Sequence, residues 1–539
     1  MKHYIGITIG PIFDMMNLVS TPAALWATSY MFSMISKKTC EKLHDEGAVI
    51  ISPFYDNPEN ELFNKNDGIG LFHDRIIVEE TEKVTLKIIN EIKQSVLREV
   101  NDAFELGGNE LEERVLFIAA EIETEEGENP ILKGGKILDS LELSRKIMFA
   151  ETNNPLLSNF TGVSPEEEKN EEKKTDGKSE GKNGRIKRIA CENLGINSDV
   201  WSMIVNKTDK ESGEKIQLIK SLPAIAGSAR KSNMKKEDLK KYNYYAIVRS
   251  DGDNMSKIIE RLKINRTSSD ESKKDLILTD FSKKCLEYCS EVAKLVVDFK
   301  GVPVYSSGDD LLAVMPCDSG EKGTVLNFVK EVNKKFAEKF KPFIDMINTE
   351  NTGKNDDEKI AVPSLSFGIS ICFKKFPLYE ALADSANLLF TIAKSKKNCT
   401  AIRLQKHSGQ SVGLLIYNDA LADYLSIQKT VLKKEDFANE VLLSALYKTE
   451  QFSTLFHEAH GEHIKNLFVN TFDGPEHKNN NFVHEELPDF YSKIRENKGI
   501  LALSENGFEE KENDIKVFNF AMRMLKFFVE KSGKEGEKR

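Results

Sequence analysis

Four carboxylates fall at two points of one stretch of this 539-residue chain: Asp251 and Asp253 in YYAIVRSDGDNM, and Asp309 and Asp310 in VPVYSSGDDLLAVMP. Tyr244 to Val248 is apolar and rich in β-formers, which places Asp251 and Asp253 just past a buried strand. Gly252 lets the backbone turn there. Val302 to Tyr305 and Leu311 to Val314 are two further short apolar runs, and Ser307-Gly308-Asp309-Asp310 between them reads as a hairpin turn. A long helical span separates the two acidic motifs, and folding it back brings them together. Four carboxylates converging at strand ends repel one another unless cations lie between them, and oxygen-only ligands suit Mg²⁺ or Mn²⁺. This is the inventory of a two-metal phosphoryl-transfer site, with ions roughly 3.5–4 Å apart. Each motif alone also reads as an ordinary acidic turn, since Asp and Gly are the commonest turn residues; the pair around one helix is far more specific.

The elements that must hold these residues follow from the rest of the chain. Its length calls for several domains, because single cores stop growing near ~250–300 residues. A formal net charge of −10 excludes a protein that coats nucleic acid nonspecifically, although local basic stretches such as Lys394 to Lys397 remain. Seven cysteines with no C-x-x-C pair give no disulfide framework and suggest a reducing, cytoplasmic setting. Met15 to Ser36 carries no charge and has membrane-spanning length, but Asn17, Ser20, Thr21 and Pro22 break it. It reads as a buried helix capped at Ser20 or Thr21 with Pro22 in its first turn, and no membrane partner is expected.

Residues 1–125 give strand His3–Gly10, helix Pro22–Asp45, strands Ala48–Ser52 and Arg75–Glu79, helix Glu82–Phe104 and strand Arg114–Ile122. That order, βαββαβ, is ferredoxin-like. A connecting region at 126–240 opens with a helix over Ile131–Phe149. It contains a stretch at 164–184 without any aliphatic or aromatic residue, which cannot bury enough surface to order itself. Residues 241–410 form the domain that carries both acidic motifs. From 411 to 539 the pattern is helical: Asp419–Leu432, Lys434–Lys448, Gln451–Asn470 and Asn513–Lys531. The expected fold class is α+β: two ferredoxin-like domains and an all-helical C-terminal bundle. Cys285 and Cys289, at i and i+4, read as core packing, and His457, His460 and His463 as solvated.

The continuation SLSFGISICFKKFPLYEALADSANLLFTIAKSKKNCTAIRL makes a close resemblance visible. Together with the DGD motif and the Gly-Asp-Asp hairpin it resembles the second palm of the large subunit of type III-B CRISPR effector complexes, the Cmr complex. ITIGPIFDMMNLVSTPAALWATSYMFSMI, with its I-G-P and L-W-A-x-S-Y elements, resembles the first palm of the same family. The resemblance covers roughly 1–125 and 240–410 and implies that the two ferredoxin-like domains are nucleotidyl cyclase-like palms.

The resemblance implies an enzyme that joins adenine nucleotides, switched on when target RNA is bound. Asp251, Gly252 through its carbonyl, Asp253 and Asp309 are the expected metal ligands for two Mg²⁺ or Mn²⁺ ions, and Asp309 and Asp310 the catalytic pair. Asp253, Asn254, Met255, Ser307, Gly308 and Lys394 are the expected nucleotide contacts, Lys394 resembling the phosphate-binding lysine of palm cyclases or else lying on a solvated helix end. Ser307 stands where the family has glycine. ATP is the expected substrate. The product is either a cyclic oligoadenylate or an AMP conjugate of S-adenosylmethionine, with Asp67, Asp74 and Glu151 as acidic candidates for an acceptor pocket. No zinc is expected, because only Cys191 stands where family members carry a zinc module, and no nuclease domain is expected from His44-Asp45 or His73-Asp74. Expected partners are the other Cmr subunits, CRISPR RNA and target RNA. The alternatives are a non-catalytic scaffold subunit of the same complex, against which the intact acidic motifs speak, and a free-standing diguanylate cyclase, which the first palm disfavours.

Overall fold

A computed structural model describes residues 1–144, 189–196, 221–229, 240–264 and 276–530, apart from 18, 58–59, 61, 63–67, 107, 109, 126, 195, 434, 475–480, 498, 505–506 and 509–513. The charged stretch at 164–184 lies outside the described residues.

The first palm is a four-stranded antiparallel sheet, β1 (Lys2–Gly10), β2 (Ile50–Ser52), β3 (Arg75–Glu79) and β4 (Leu116–Thr124), in the order β2-β3-β1-β4. This is the ferredoxin-like arrangement that the βαββαβ order predicts. Its first long helix, Pro22–Asp45, starts at Thr21, whose side chain accepts from the Ala24 amide at 3.2 Å, with proline in the first turn. The uncharged stretch is explained by burial on several sides at once, since this helix packs on its own sheet, on the Leu86–Ala103 helix and on the second palm. No described helix is long and apolar enough to cross a membrane.

The second palm is built on β5 (Tyr244–Asp253), with β6 (Val302–Ser307), β7 (Asp310–Pro316) and β8 (Ser364–Phe373) in the order β6-β7-β5-β8, the same topology again. Between β5 and β6 the single long helix expected is two: a one-turn helix, Met255–Ile259, and Leu278–Asp298. The latter and Val325–Lys339 cover one face of the sheet, and their Phe281, Tyr288 and Phe336 meet Phe340 and Phe343, at and beyond the end of Val325–Lys339, edge-on or tilted. On the other face Leu378–Ala386 continues through a π-helical turn, Asn387–Ala393, into Lys394–Lys396. It can press that close because β8 has Gly368 beneath it. A Cβ there would lie 2.4 Å from the Ser385 carbonyl oxygen and 2.5 Å from the Leu389 nitrogen. The palms touch directly: the Ser306 amide in β6 donates to the Gly70 carbonyl at 3.0 Å, and Asn129 Nδ2 to the Ile259 carbonyl at 2.8 Å.

The boundary at 410 and the all-helical C-terminal bundle need correction. β9 (Cys399–Gln405) joins β8 in parallel, and β10 (Ser411–Tyr417), β11 (Ile500–Ser504) and β12 (Gly507–Phe508) extend the same sheet to eight strands. The expected helices are there, as Asn418–Lys433, Glu435–Gln451, Ser453–Glu458, Glu462–Thr471 and Asp514–Val529, but the chain returns from them to complete the palm. SVGLLIY and ILALS are short apolar runs, whose periodicity does not separate strand from buried helix.

Candidate active site

β5 carries Asp251 and Asp253 at its C-terminal end, and the β6–β7 hairpin carries Asp309 and Asp310 beside it. In that hairpin Ser307 pairs with Asp310, and Gly308 takes φ +66°, so a two-residue turn with glycine first aims Asp309 at β5. One carboxylate oxygen from each of Asp251, Asp309 and Asp310 lies within 4.8 Å of the other two.

Gly252 has another role than the turn expected of it. It is a regular strand residue, paired with Leu365, but a Cβ on it would lie 2.2 Å from Asp309 Oδ2 and 2.6 Å from Met255 Cγ. Glycine here makes room for the aspartate.

The fourth carboxylate departs from the expected ligand set. Asp253 is fully buried, and its Oδ2 accepts from Ser366 Oγ at 2.8 Å, Ser364 Oγ at 3.0 Å and the Asn398 amide at 2.9 Å. It is not one of the three clustered residues. With its second oxygen 3.3 Å from Lys394 Nζ, it positions the lysine and ties β5 to the turn before β9. Ser364 and Ser366, two apart in β8 and so on one side of the strand, were missed in the sequence; that spacing was the available signal.

Lys394 lies in the cluster. Its Nζ donates to the Gly252 carbonyl at 2.5 Å and stands 2.8 Å from Asp251 Oδ2. Burial pulls this amine down, but Asp251, Asp253 and Asp309 together outweigh it and hold Lys394 above an ordinary lysine. The solvated-helix-end alternative does not fit this placement. The Gly252 carbonyl, expected as a metal ligand, is here an acceptor for the lysine. Burial first, then Asp251, pushes Asp309 up to about 6 against the pull of Lys394. Burial and then the charges of Asp309 and Asp251 hold Asp310 well above the usual carboxylate range, and it shares a hydrogen bond with Asp251.

Of the other expected nucleotide contacts, Asn254 takes φ +59° and donates to the Val362 carbonyl at 3.3 Å, while its Oδ1 accepts from Lys397 Nζ at 2.7 Å. Met255 begins a helix of five residues, and its side chain is buried. A further residue missed in the sequence is Arg249, two residues before Asp251 and buried. Its Nε donates to Ser385 Oγ at 3.2 Å, it hydrogen-bonds Tyr305, and its Nη1 has no hydrogen-bond partner.

Cys289 donates to the Gly308 carbonyl at 3.2 Å, and burial pushes the Cys285 and Cys289 thiols up, as befits packing rather than metal binding. His457, His460 and His463 are exposed, and the helix breaks between Glu458 and Glu462. His73 is held by Ser52 across 3.2 Å, and burial pushes it down to about 4. Of the acceptor-pocket candidates, Asp67 and Glu151 lie outside the described residues. Asp74 is separate from the Asp251 cluster; burial pushes its carboxyl up while neighbouring Arg75, which pairs with Asp139 at 2.5 Å and Glu142 at 3.4 Å, opposes that.

Residues 4–105 match the family model for the N-terminal part of the CRISPR-associated protein Cmr2, and residues 244–402 that for the second palm domain of Cas10/Cmr2. Both palms of this chain thus carry segments similar to the Cas10/Cmr2 family. It is 30% identical over 183 residues to the CRISPR system Cmr subunit Cmr2 of Pyrococcus furiosus, a match that spans 31% of this chain and only 19% of that relative's length. Its fold resembles solved structures of type III-B Cmr-beta. The apo state matches with a TM-score of 0.58 at 12% identity, covering 98% of this chain and 82% of the other. The form bound to cognate target RNA matches with a TM-score of 0.55 at 12% identity, covering 98% and 83%. Within the Cas10/Cmr2 second palm, the matched segment runs from the first strand through the acidic hairpin to Ile402 in β9.

Proposed function

We propose that this chain is the nucleotidyltransferase subunit of a type III-B CRISPR complex and transfers AMP from ATP to the 3′-hydroxyl of an adenosine. The observation that carries the reading is the convergence of Asp251, Asp309 and Asp310 from two strands, with Gly252 kept bare to admit Asp309. Three carboxylates with two of their pKa values raised are a poor arrangement for a structural turn and a good one for divalent cations.

Asp251, Asp309 and Asp310 would hold the cations, and the carbonyl of Gly252 becomes available once Lys394 turns to a phosphate. The cations supply charge neutralisation of the triphosphate and a lowered pKa for the attacking hydroxyl. The side chains do the rest. Asp310, ionised beside the cations, takes the proton of the attacking 3′-hydroxyl. Lys394, kept fully charged by its neighbours, steadies the phosphate oxygens as pyrophosphate leaves. Asp253 stays in its cradle and holds Lys394 in reach. The partners are the other Cmr subunits, CRISPR RNA and target RNA, with target RNA as the activator. The acceptor is a second ATP, giving oligoadenylates that close into rings, or S-adenosylmethionine, whose adenosine carries the same hydroxyl.

The test is mass spectrometry of the products made by the purified complex with target RNA, ATP and Mg²⁺ or Mn²⁺, with and without S-adenosylmethionine. A pyrophosphate-releasing adenylate product that needs all three carboxylates is expected. Its absence under every one of these conditions would leave the scaffold reading standing.

A further inference from the structure

At the opposite end of the second palm sheet lies a cavity of about 750 Å³ with its own chemistry. β8 enters the acidic site at Ser364 and ends at this cavity with Phe373, nine residues later, roughly 30 Å away at strand rise. The walls are the ends of β8 and β9, the β9–β10 turn and the Asp514–Val529 helix. Lys375, Arg403, Lys406 and Lys516 all line it, and among the described residues no aspartate or glutamate does, in a chain whose net charge is −10. Lys406 is held below an ordinary lysine by burial; among nearby charges Glu530 pulls it up most, while Lys526, Lys240 and Arg523 push it down. The one carboxylate that opposes this shift, Glu530, is itself engaged by Lys240 at 2.8 Å and Lys526 at 3.2 Å. Arg403 pairs with Asp384 through Nη1, while its buried Nη2 has no hydrogen-bond partner.

Aromatic surface lies among these cations. The exposed His407 ring stacks on Phe373 with centroids 4.5 Å apart and planes 21° from parallel, and the partly buried Phe376 and Phe520 line the same cavity. Flat rings interleaved with cations and free of carboxylates are the composition of a nucleotide site, the rings taking a base and the lysines a phosphate. The geometry points to a second nucleotide-binding site here, distinct from the acidic centre, taking a nucleotide unit with its base on the His407–Phe373 stack and its phosphate among Lys375, Lys406 and Lys516. The unit is either one residue of single-stranded RNA or a free mononucleotide, which share this chemistry.

The experiment uses the full chain in EDTA, with Asp309→Asn and Asp310→Asn in the background, and fluorescein-labelled eight-residue oligoadenylate RNA followed by anisotropy, with AMP as competitor. His407→Ala, on an exposed ring, is expected to weaken binding about fivefold or more, the loss of one stacked base. Lys375→Glu, also exposed, is expected to reduce the slope of log affinity against log salt by about 0.7, one phosphate contact on a single strand. Displacement by AMP, or direct AMP binding lost in the same variants, supports the site with a mononucleotide as its ligand; resistance to AMP supports it with RNA. Circular dichroism of both variants checks that they fold. Unchanged binding in both folded variants, or no saturable binding by the starting chain, overturns the proposal.

Discussion

Gly252 and Asp309 share a space that holds only one of their side chains: a methyl group on the glycine would stand 2.2 Å from Asp309 Oδ2 and 2.9 Å from its Cβ. Gly252→Ala is therefore expected to displace the aspartate rather than the strand, since Gly252 lies within the β5–β8 ladder. A shift of about 1 Å in a reacting group costs on the order of 100-fold in rate, and overpacking costs about 1–3 kcal/mol in stability. Steady-state turnover with urea unfolding on the same preparation checks this; a variant with unchanged turnover would contradict the assigned role of Asp309.

The raised carboxyl of Asp309 has a consequence for stability without divalent ions. A group moved up to about 6 in the fold binds more protons there than in the unfolded chain. Its favourable contribution is complete below the ordinary carboxylate pKa and is lost as pH rises through about 6. Asp309→Asn removes the charge that appears above that pH. In EDTA the variant should melt above the parent chain at pH 7.5, with the gap shrinking steadily as pH falls to 5. Added Mn²⁺ should raise the melting temperature of the parent far more than that of the variant. Differential scanning fluorimetry reads all of these, and a gap independent of pH would show that Asp309 carries no such repulsion.

Asp253 and Asp310 should fail in opposite ways. Asp253 is fully buried and its Oδ2 accepts three hydrogen bonds, so Asp253→Asn sets an amide against donors and is expected to cost about 1.5–3 kcal/mol of stability. Turnover by the folded fraction should stay within about tenfold. Asp310→Asn leaves stability unchanged or improved and should lose about 100-fold or more in turnover. The reverse pattern, measured by denaturant titration and product assay, would exchange the two assignments.

What the sequence made legible here follows the range of the forces involved. Both palms were readable because β1, β5 and β8 are apolar runs bounded by glycine, proline or acidic turns, and Thr21-Pro22 announces its helix with a local cap. The acidic cluster was readable because hairpin chemistry is local: Gly308 fixes where Asp309 points. The split between Asp253 and the other three carboxylates was not, since it depends on Ser364, Ser366 and Asn398, more than a hundred residues away in sequence. The return of β11 to the palm sheet was hidden for the same reason. Residues 500–503 pair with 413–416 across a helical excursion that gives no periodic signal of where the chain comes back.

Lys394 stands where a cation would otherwise be needed, 2.8 Å from Asp251 and hydrogen-bonded to the Gly252 carbonyl. Replacing it with methionine keeps the stem and removes the charge, leaving the carboxylates with no ammonium among them. In EDTA at pH 7.5, Lys394→Met should melt below the parent, and divalent ions should recover most of the loss because they supply the missing positive charge. KM for ATP should rise because the lysine contacts phosphate in the ground state, and turnover should fall because that contact strengthens as charge builds on the leaving pyrophosphate. Lys394→Arg, which retains charge with a wider head group, should recover the melting temperature more fully than the turnover. If Lys394→Met matched the parent in KM and in EDTA stability, the lysine would be neither the counter-ion nor the phosphate ligand assigned here.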